Sequence, residues 1–200
     1  IGEPKHQPPD FALEILSDQE KVRALLATYP STKGTTKLRQ SISTWLKSRF
    51  SVEVDYETEI LPVNGTREAL FSFAQAVISD KTNPIVIMPN PFYQIYEGAA
   101  LLAGASTFFC SSFETNNYLQ DFESIPSETW RNTELIYICS PANPTGKSLS
   151  DGQIEKLIDL AHQYNFTIAS DECYSEIYSS SHNKPNSLLK ISENIGNKSF

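Results

Sequence analysis

Short apolar runs recur along the chain at residues 60–63, 85–88, 106–110, 135–139 and 166–170, and nearly every one leads through a loop into a helical pattern. Near-continuous apolar strands alternating with helices are buried on both faces. The chain is therefore read as α/β with a mainly parallel sheet. Sheets of this kind place ligands beyond the carboxyl ends of their strands. The unusual residues fall in those positions: Asn64-Gly65-Thr66-Arg67, Asn90-Pro91-Phe92-Tyr93, Asn143-Pro144-Thr145-Gly146 and Asp171 to Tyr174. Four strand ends are thus expected to converge on one site.

The segments before this alternation differ. The opening IGEPKHQPPD holds three prolines and one glycine, and reads as an extended arm. Phe11, Ile15, Val22, Leu25 and Leu26 then form one amphipathic stretch. YPSTKG is a turn or loop. Leu38, Ile42, Trp45, Leu46 and Phe50 recur at helical spacing, which predicts a helix over about residues 36–50. Further helices are expected over 66–78, from the PNPFY loop through Ala103, and from Ser150, where Gln153 completes a capping box. Residues 1–35 are assigned to an arm and small-domain segment, and residues 36–200 to the larger domain.

Composition narrows the function. The 200 residues allow one substantial core or a core plus a small appendage. The net charge of −8, without a local basic stripe, argues against nucleic acid. No apolar run is long enough to span a bilayer and no signal-peptide pattern opens the chain. Cys110, Cys139 and Cys173 are far apart and show no metal-ligand spacing, so neither zinc nor a disulfide framework is expected. A reducing compartment, the cytoplasm, follows.

Each motif has a bland reading beside a chemical one. Gly65 and Thr66 open a helix whose exposed N–H groups and dipole suit a phosphate; taken alone, an ordinary glycine turn with a Thr cap is the simpler reading. GxxxxGK[ST] and GxGxxG are both absent, which removes ATPase and Rossmann dinucleotide readings. Tyr93 is placed to cover a flat ring, or to pack with Phe92 and Tyr96 in the core. The two prolines of SPANPTG make a rigid loop from which Asn143 can donate to a ligand oxygen, or start an Asx turn. Asp171 ends a buried strand, and a carboxylate there needs a positive partner or several donors. A protonated ring nitrogen is one such partner, with Tyr174 reaching a ring hydroxyl; an arginine or a helix N-cap is another.

In this order NGTREAL, PNPFYQIYEGAALLAGA, SPANPTG and SDECYSEIY resemble the class I/II aminotransferases of fold type I, which use pyridoxal 5′-phosphate (PLP). The resemblance runs the length of the chain. IGEPKH, NPFYQIYEGA and SDECYSEIY are most similar to the bacterial N-succinyldiaminopimelate aminotransferases of lysine and cell-wall synthesis. It implies the fold type I large domain, a mainly parallel sheet with helices on both faces, here incomplete, plus an N-terminal piece of the small domain. It implies Asp171 on the pyridine nitrogen, Asn143 and Tyr174 on the ring oxygen, and Tyr93 stacked on the ring. Gly65, Thr66 and Arg67 would hold the phosphate. Tyr29 would reach the cofactor of the partner subunit in a homodimer. Gly2 and Asn143 would meet the substrate.

One departure stands out. The family attaches its cofactor through a lysine in an S-x-x-K segment on the strand after D-x-x-Y. None of Lys184, Lys190 and Lys198 sits in such a segment at the end of an apolar strand. The carboxylate-binding arginine, later in the family, is also missing. With no initial Met, the chain reads as a fragment cut at both ends, carrying the cofactor-binding part and inactive alone. Open sheet edges and apolar faces would make it poorly soluble. The reaction implied is amino transfer between N-succinyl-LL-2,6-diaminopimelate and 2-oxoglutarate. The alternatives are a carbon–sulfur lyase or decarboxylase on the same fold, or a non-catalytic effector-binding domain.

Overall fold

The computed structural model describes residues 5–79, 81–179 and 184–196. Its centre is a four-stranded sheet in the order β2-β1-β3-β4, built from β1 (Ile85–Asn90), β2 (Ser106–Ser111), β3 (Thr133–Cys139) and β4 (Thr167–Asp171). Every pairing is parallel. Four of the five expected strands are present. Residues 60–63 are the exception and form no strand. Pro62 lacks a ladder donor. Its ring instead packs where a Cβ on Gly34 would stand, at 2.8 Å, and Gly34 has φ 71°. Leu61 and Val63 are left exposed.

Helices cover both faces of the sheet. Side chains alternate across each strand, so Val86, Met88, Leu135 and Tyr137 face α4 (Thr66–Val77) and α5 (Gln94–Leu102). Ile87, Ile136 and Ile138 face α7 (Asp151–Tyr164), α6 (Ser127–Asn132) and α8 (Leu188–Asn194). The capping box at Ser150 and Gln153 forms as expected: Gln153 N–H donates to Ser150 Oγ, and Ser150 N–H to Gln153 Oε1. Cys110 and Cys139 are buried free thiols, while Cys173 is exposed.

The N-terminal part departs from one expectation. The single amphipathic stretch is two helices, α1 (Asp10–Ser17) and α2 (Gln19–Leu26). Asp18 breaks it because its carboxylate accepts the Lys21 N–H, making it the cap of the second helix. Phe11, Ile15, Leu25 and Leu26 are exposed among the described residues. The helix expected over residues 36–50 is α3 (Thr36–Phe50), closed by Ser51 at φ 61°.

Two arginines of α3 tie it to distant chain. Arg39 is buried and donates to the Tyr56 carbonyl at 2.6 Å and to Glu57 at 3.2 Å. Arg49 lies over the Phe50 ring, pairs with Glu176 at 2.6 Å, and donates to the Pro185 carbonyl at 3.1 Å. Arg49 thereby ties α3 to both Glu176 and Pro185.

Leu157 on α7 is fully buried in the cluster under β3. Replacing it with alanine in the full-length protein is expected to cost about 2–5 kcal/mol. The shift in denaturant midpoint checks this, with an unchanged slope showing that only stability has moved.

Candidate active site

Three strand ends and one helix start, rather than four strand ends, meet at the carboxyl edge of the sheet. The register brings them together. β3 pairs with β4 so that Cys139 stands opposite Asp171, and β1 lies on the other side of β3. The loop after each strand therefore opens on the same side. The segment after residues 60–63 contributes through α4, whose first turn points there.

Asp171 is buried, and among the described residues its partner is a tyrosine rather than an arginine. Tyr96 donates its hydroxyl to Asp171 Oδ2 at 2.8 Å. The Cys173 N–H lies 3.3 Å from Oδ1. The other buried carboxylate, Glu134, differs. Both of its oxygens are engaged by Ser79, through N–H at 2.6 Å and Oγ at 2.5 Å. Burial pushes the Glu134 carboxyl up, but the Ser79 bonds and Lys81 outweigh it and hold the group below its ordinary value. Glu134 is a satisfied structural acid. Among the described residues, Asp171 accepts one short bond, from Tyr96, and one longer one, from the Cys173 N–H, and its two oxygens retain further acceptor capacity.

Asn143 and Tyr174 lie side by side: Asn143 Nδ2 donates to the Tyr174 hydroxyl at 3.0 Å. The proline-rich loop that carries Asn143 is closed by Ala142 N–H to Lys147 O at 2.8 Å and Gly146 N–H to Ala142 O at 2.7 Å. Tyr174 sits in the turn after β4, where Ser175 N–H returns to Glu172 O and Ile177 N–H to Tyr174 O, both at 3.0 Å. Glu172 is structural: it accepts from Ser170 Oγ and from the Leu188 N–H that opens α8, both at 2.8 Å. The acid pair of DECY thus divides between a site and a brace.

Gly65 caps α4 with φ 99°, a conformation that L side chains rarely adopt. It offers no capping side chain, so the first-turn N–H groups of an exposed helix end face outward with Thr66 and Arg67. Arg67 Nε donates to the Tyr93 hydroxyl at 2.8 Å. The Tyr93 ring meets Tyr96 edge-on at 5.8 Å. A chain of contacts therefore runs from the helix end through two tyrosines to Asp171.

One expected site residue is not brought in. Tyr29 is 99% exposed and so touches none of the others. Gly2 lies outside the described residues, as does Lys198. Lys190 follows Ser187 at the S-x-x-K spacing, but it lies in α8, which packs with α7 on the face opposite α4 and α5, and not on a strand.

Tyr96 and Tyr137 escaped the sequence reading as partners of the site. The available signal was Tyr137 inside the wholly buried LIYIC strand, where a phenol needs a hydrogen-bond acceptor. That acceptor is the Leu70 carbonyl of α4, at 2.6 Å.

The motifs and their geometry agree with one family. Residues 1–196 match the family model for aminotransferase class I and II. The chain belongs to the class I and II aminotransferases. This family is PLP-dependent. An LL-diaminopimelate aminotransferase of Nitratidesulfovibrio vulgaris is 33% identical over 96% of this chain and 48% of its own length. One of Aquifex aeolicus is 36% identical over 82% and 41%. Among solved structures, an aminotransferase from Neisseria meningitidis is 44% identical with a TM-score of 0.90, over 98% of this chain and 49% of that one. Aminotransferase AspB from Helicobacter pylori is 34% identical, also with a TM-score of 0.90, over 100% and 51%. The chain spans about half the length of the curated relatives it matches. The sheet described above is the fold type I architecture of these structures.

Although the Cys173 residue reaches solvent, partial burial of its thiol, and next the Asp171 charge, pushes it up to about 12. A thiol raised in this way stays protonated and unreactive until the pH approaches that value. In cofactor-free protein at pH about 8.5, Cys173 is expected to react with iodoacetamide at least about tenfold more slowly than a free-cysteine peptide. Mass-spectrometric labelling rates check this; equal rates would contradict it.

Proposed function

We propose that the full-length protein is a PLP-dependent aminotransferase acting on a diaminopimelate-type amino acid in lysine biosynthesis, with 2-oxoglutarate and glutamate as the amino acceptor and donor pair. The observation that carries this reading is a buried carboxylate, Asp171, held through Oδ2 by Tyr96 at a sheet edge that also presents Asn143, Tyr174 and the Gly65–Arg67 helix end. This donor set fits PLP in kind: an acid for a ring nitrogen, hydroxyl and amide for a ring oxygen, a helix N-terminus with an arginine for a phosphate.

In this reading each residue has a task. Asp171 would hold the ring nitrogen in its protonated form by offering that N–H a buried carboxylate oxygen. Asn143 and Tyr174, already bonded to each other, orient the ring oxygen from one side. The N–H groups after Gly65 and the Arg67 side chain hold the phosphate dianion. Tyr93 covers one ring face while its hydroxyl fixes Arg67. When bound, the protonated pyridine ring acts as an electron sink for the substrate α-carbon. Tyr29 is assigned to a partner subunit's phosphate in a homodimer, which accounts for a tyrosine standing free on its own chain. Gly2 is assigned to the substrate, and residues 1–35 to the small domain.

The substrate is the finer part of the proposal. The similarity to LL-diaminopimelate aminotransferases favours LL-diaminopimelate itself; NPFYQIYEGA, through the family it resembles, favours the N-succinyl form. Glutamate production by the full-length protein with each compound separates them. Activity with neither, but with a cysteine conjugate releasing a thiol, would favour the lyase alternative.

Asp171→Ala is expected to lower turnover at least about a hundredfold while the circular dichroism spectrum is retained. Near-normal turnover in that variant would remove Asp171 from the ring nitrogen.

A further inference from the structure

Tyr96 and Tyr137 are each only 1% exposed, and their rings stack at 4.5 Å with 10° between planes. Their hydroxyls leave in different directions. Tyr96, on α5, donates to Asp171 on β4; Tyr137, on β3, donates to the Leu70 carbonyl on α4. Four elements are thus joined through one rigid two-ring plate. Two of them, β4 and α4, carry the acid and the helix end assigned above to opposite ends of one cofactor. Tyr93 adds a parallel tie, with its ring against Tyr96 and its hydroxyl on Arg67.

We propose that Tyr96 is a positioning residue for Asp171: its hydroxyl holds the carboxylate by Oδ2, and its stack on Tyr137 fixes that hydroxyl relative to the α4 end that carries Gly65, Thr66 and Arg67. An ionised carboxylate only accepts, so a donor on Oδ2 sets its rotation and leaves the remaining lone pairs for a ring N–H. Burial and the neighbouring Asp171 charge raise the Tyr96 phenol well above its ordinary value. It therefore stays a donor throughout the range in which the protein works. A tyrosine that only filled the core would need no acid as its acceptor and no second hydroxyl tying its stacking partner to α4.

The inference rests on the PLP reading above, and the experiment separates the two. PLP dissociation constants are measured by equilibrium dialysis on the full-length protein, on Tyr96→Phe, on Asp171→Asn, and on the double variant. Tyr96→Phe keeps the ring and its stack and removes only the donor. It is expected to weaken PLP binding about tenfold when Asp171 is present, and no more than about twofold when Asp171 is already asparagine. An equal factor in both backgrounds would show that Tyr96 does not act through Asp171 and overturns the inference, as would no effect in the first. If Tyr96→Phe does not fold, Tyr137→Phe reads the same plate from its other end. There an about threefold loss confined to the Asp171 background supports the inference, and equal factors overturn it. A wild-type protein that binds no PLP removes the functional reading together with this one. Wild-type binding with additive variants removes this one alone.

Discussion

The parallel pairing of β3 on β4 is the constraint on which the remaining geometry depends. Because Cys139 stands opposite Asp171, the loop with Asn143 and the turn with Tyr174 leave the sheet side by side. A slip of one residue would turn every side chain of β4 to the other face. Asp171 would then leave Tyr96, and Ala169 would leave the cluster it shares with Tyr137. The apolar alternation that buries the core therefore also aims the acid.

Much of this was legible in the residues. The strands at β1 to β4 show themselves as apolar runs, and α3 as a 3.6-residue pattern, because burial on one or both faces writes its period into the sequence. That Asn143 and Tyr174 would lie at one edge of the sheet was legible in the ordered motifs; their mutual hydrogen bond was not. What stayed hidden depended on tertiary partners. Residues 60–63 look like a strand by composition, yet Pro62 removes a donor and packs on Gly34 instead. The break at Asp18 is a local capping event inside an amphipathic pattern that is continuous only on an apolar count. Tyr96 reads as one more core aromatic until β4 delivers a carboxylate to its hydroxyl.

Two buried acids at opposite ends of the sheet illustrate how position decides role. Glu134, at the start of β3, is closed off by one serine that supplies two donors. Asp171, at the end of β4, shares its firm donor with a ring stack and faces the loops. The chemistry of the side chains is nearly the same. The difference lies in how many lone pairs the protein itself has already engaged.

The Arg49 contacts carry a consequence for how the chain assembles. Arg49 grips Glu176 and Pro185 across 127 and 136 residues of sequence. During synthesis from the N-terminus, α3 leaves the ribosome long before either partner exists. Closing such a loop is entropically slow, and non-local contacts of this span form late. The turn bearing Tyr174 is thus expected to be among the last parts of the site to become ordered. Its completion reports that α3 and the segment after β4 have found each other.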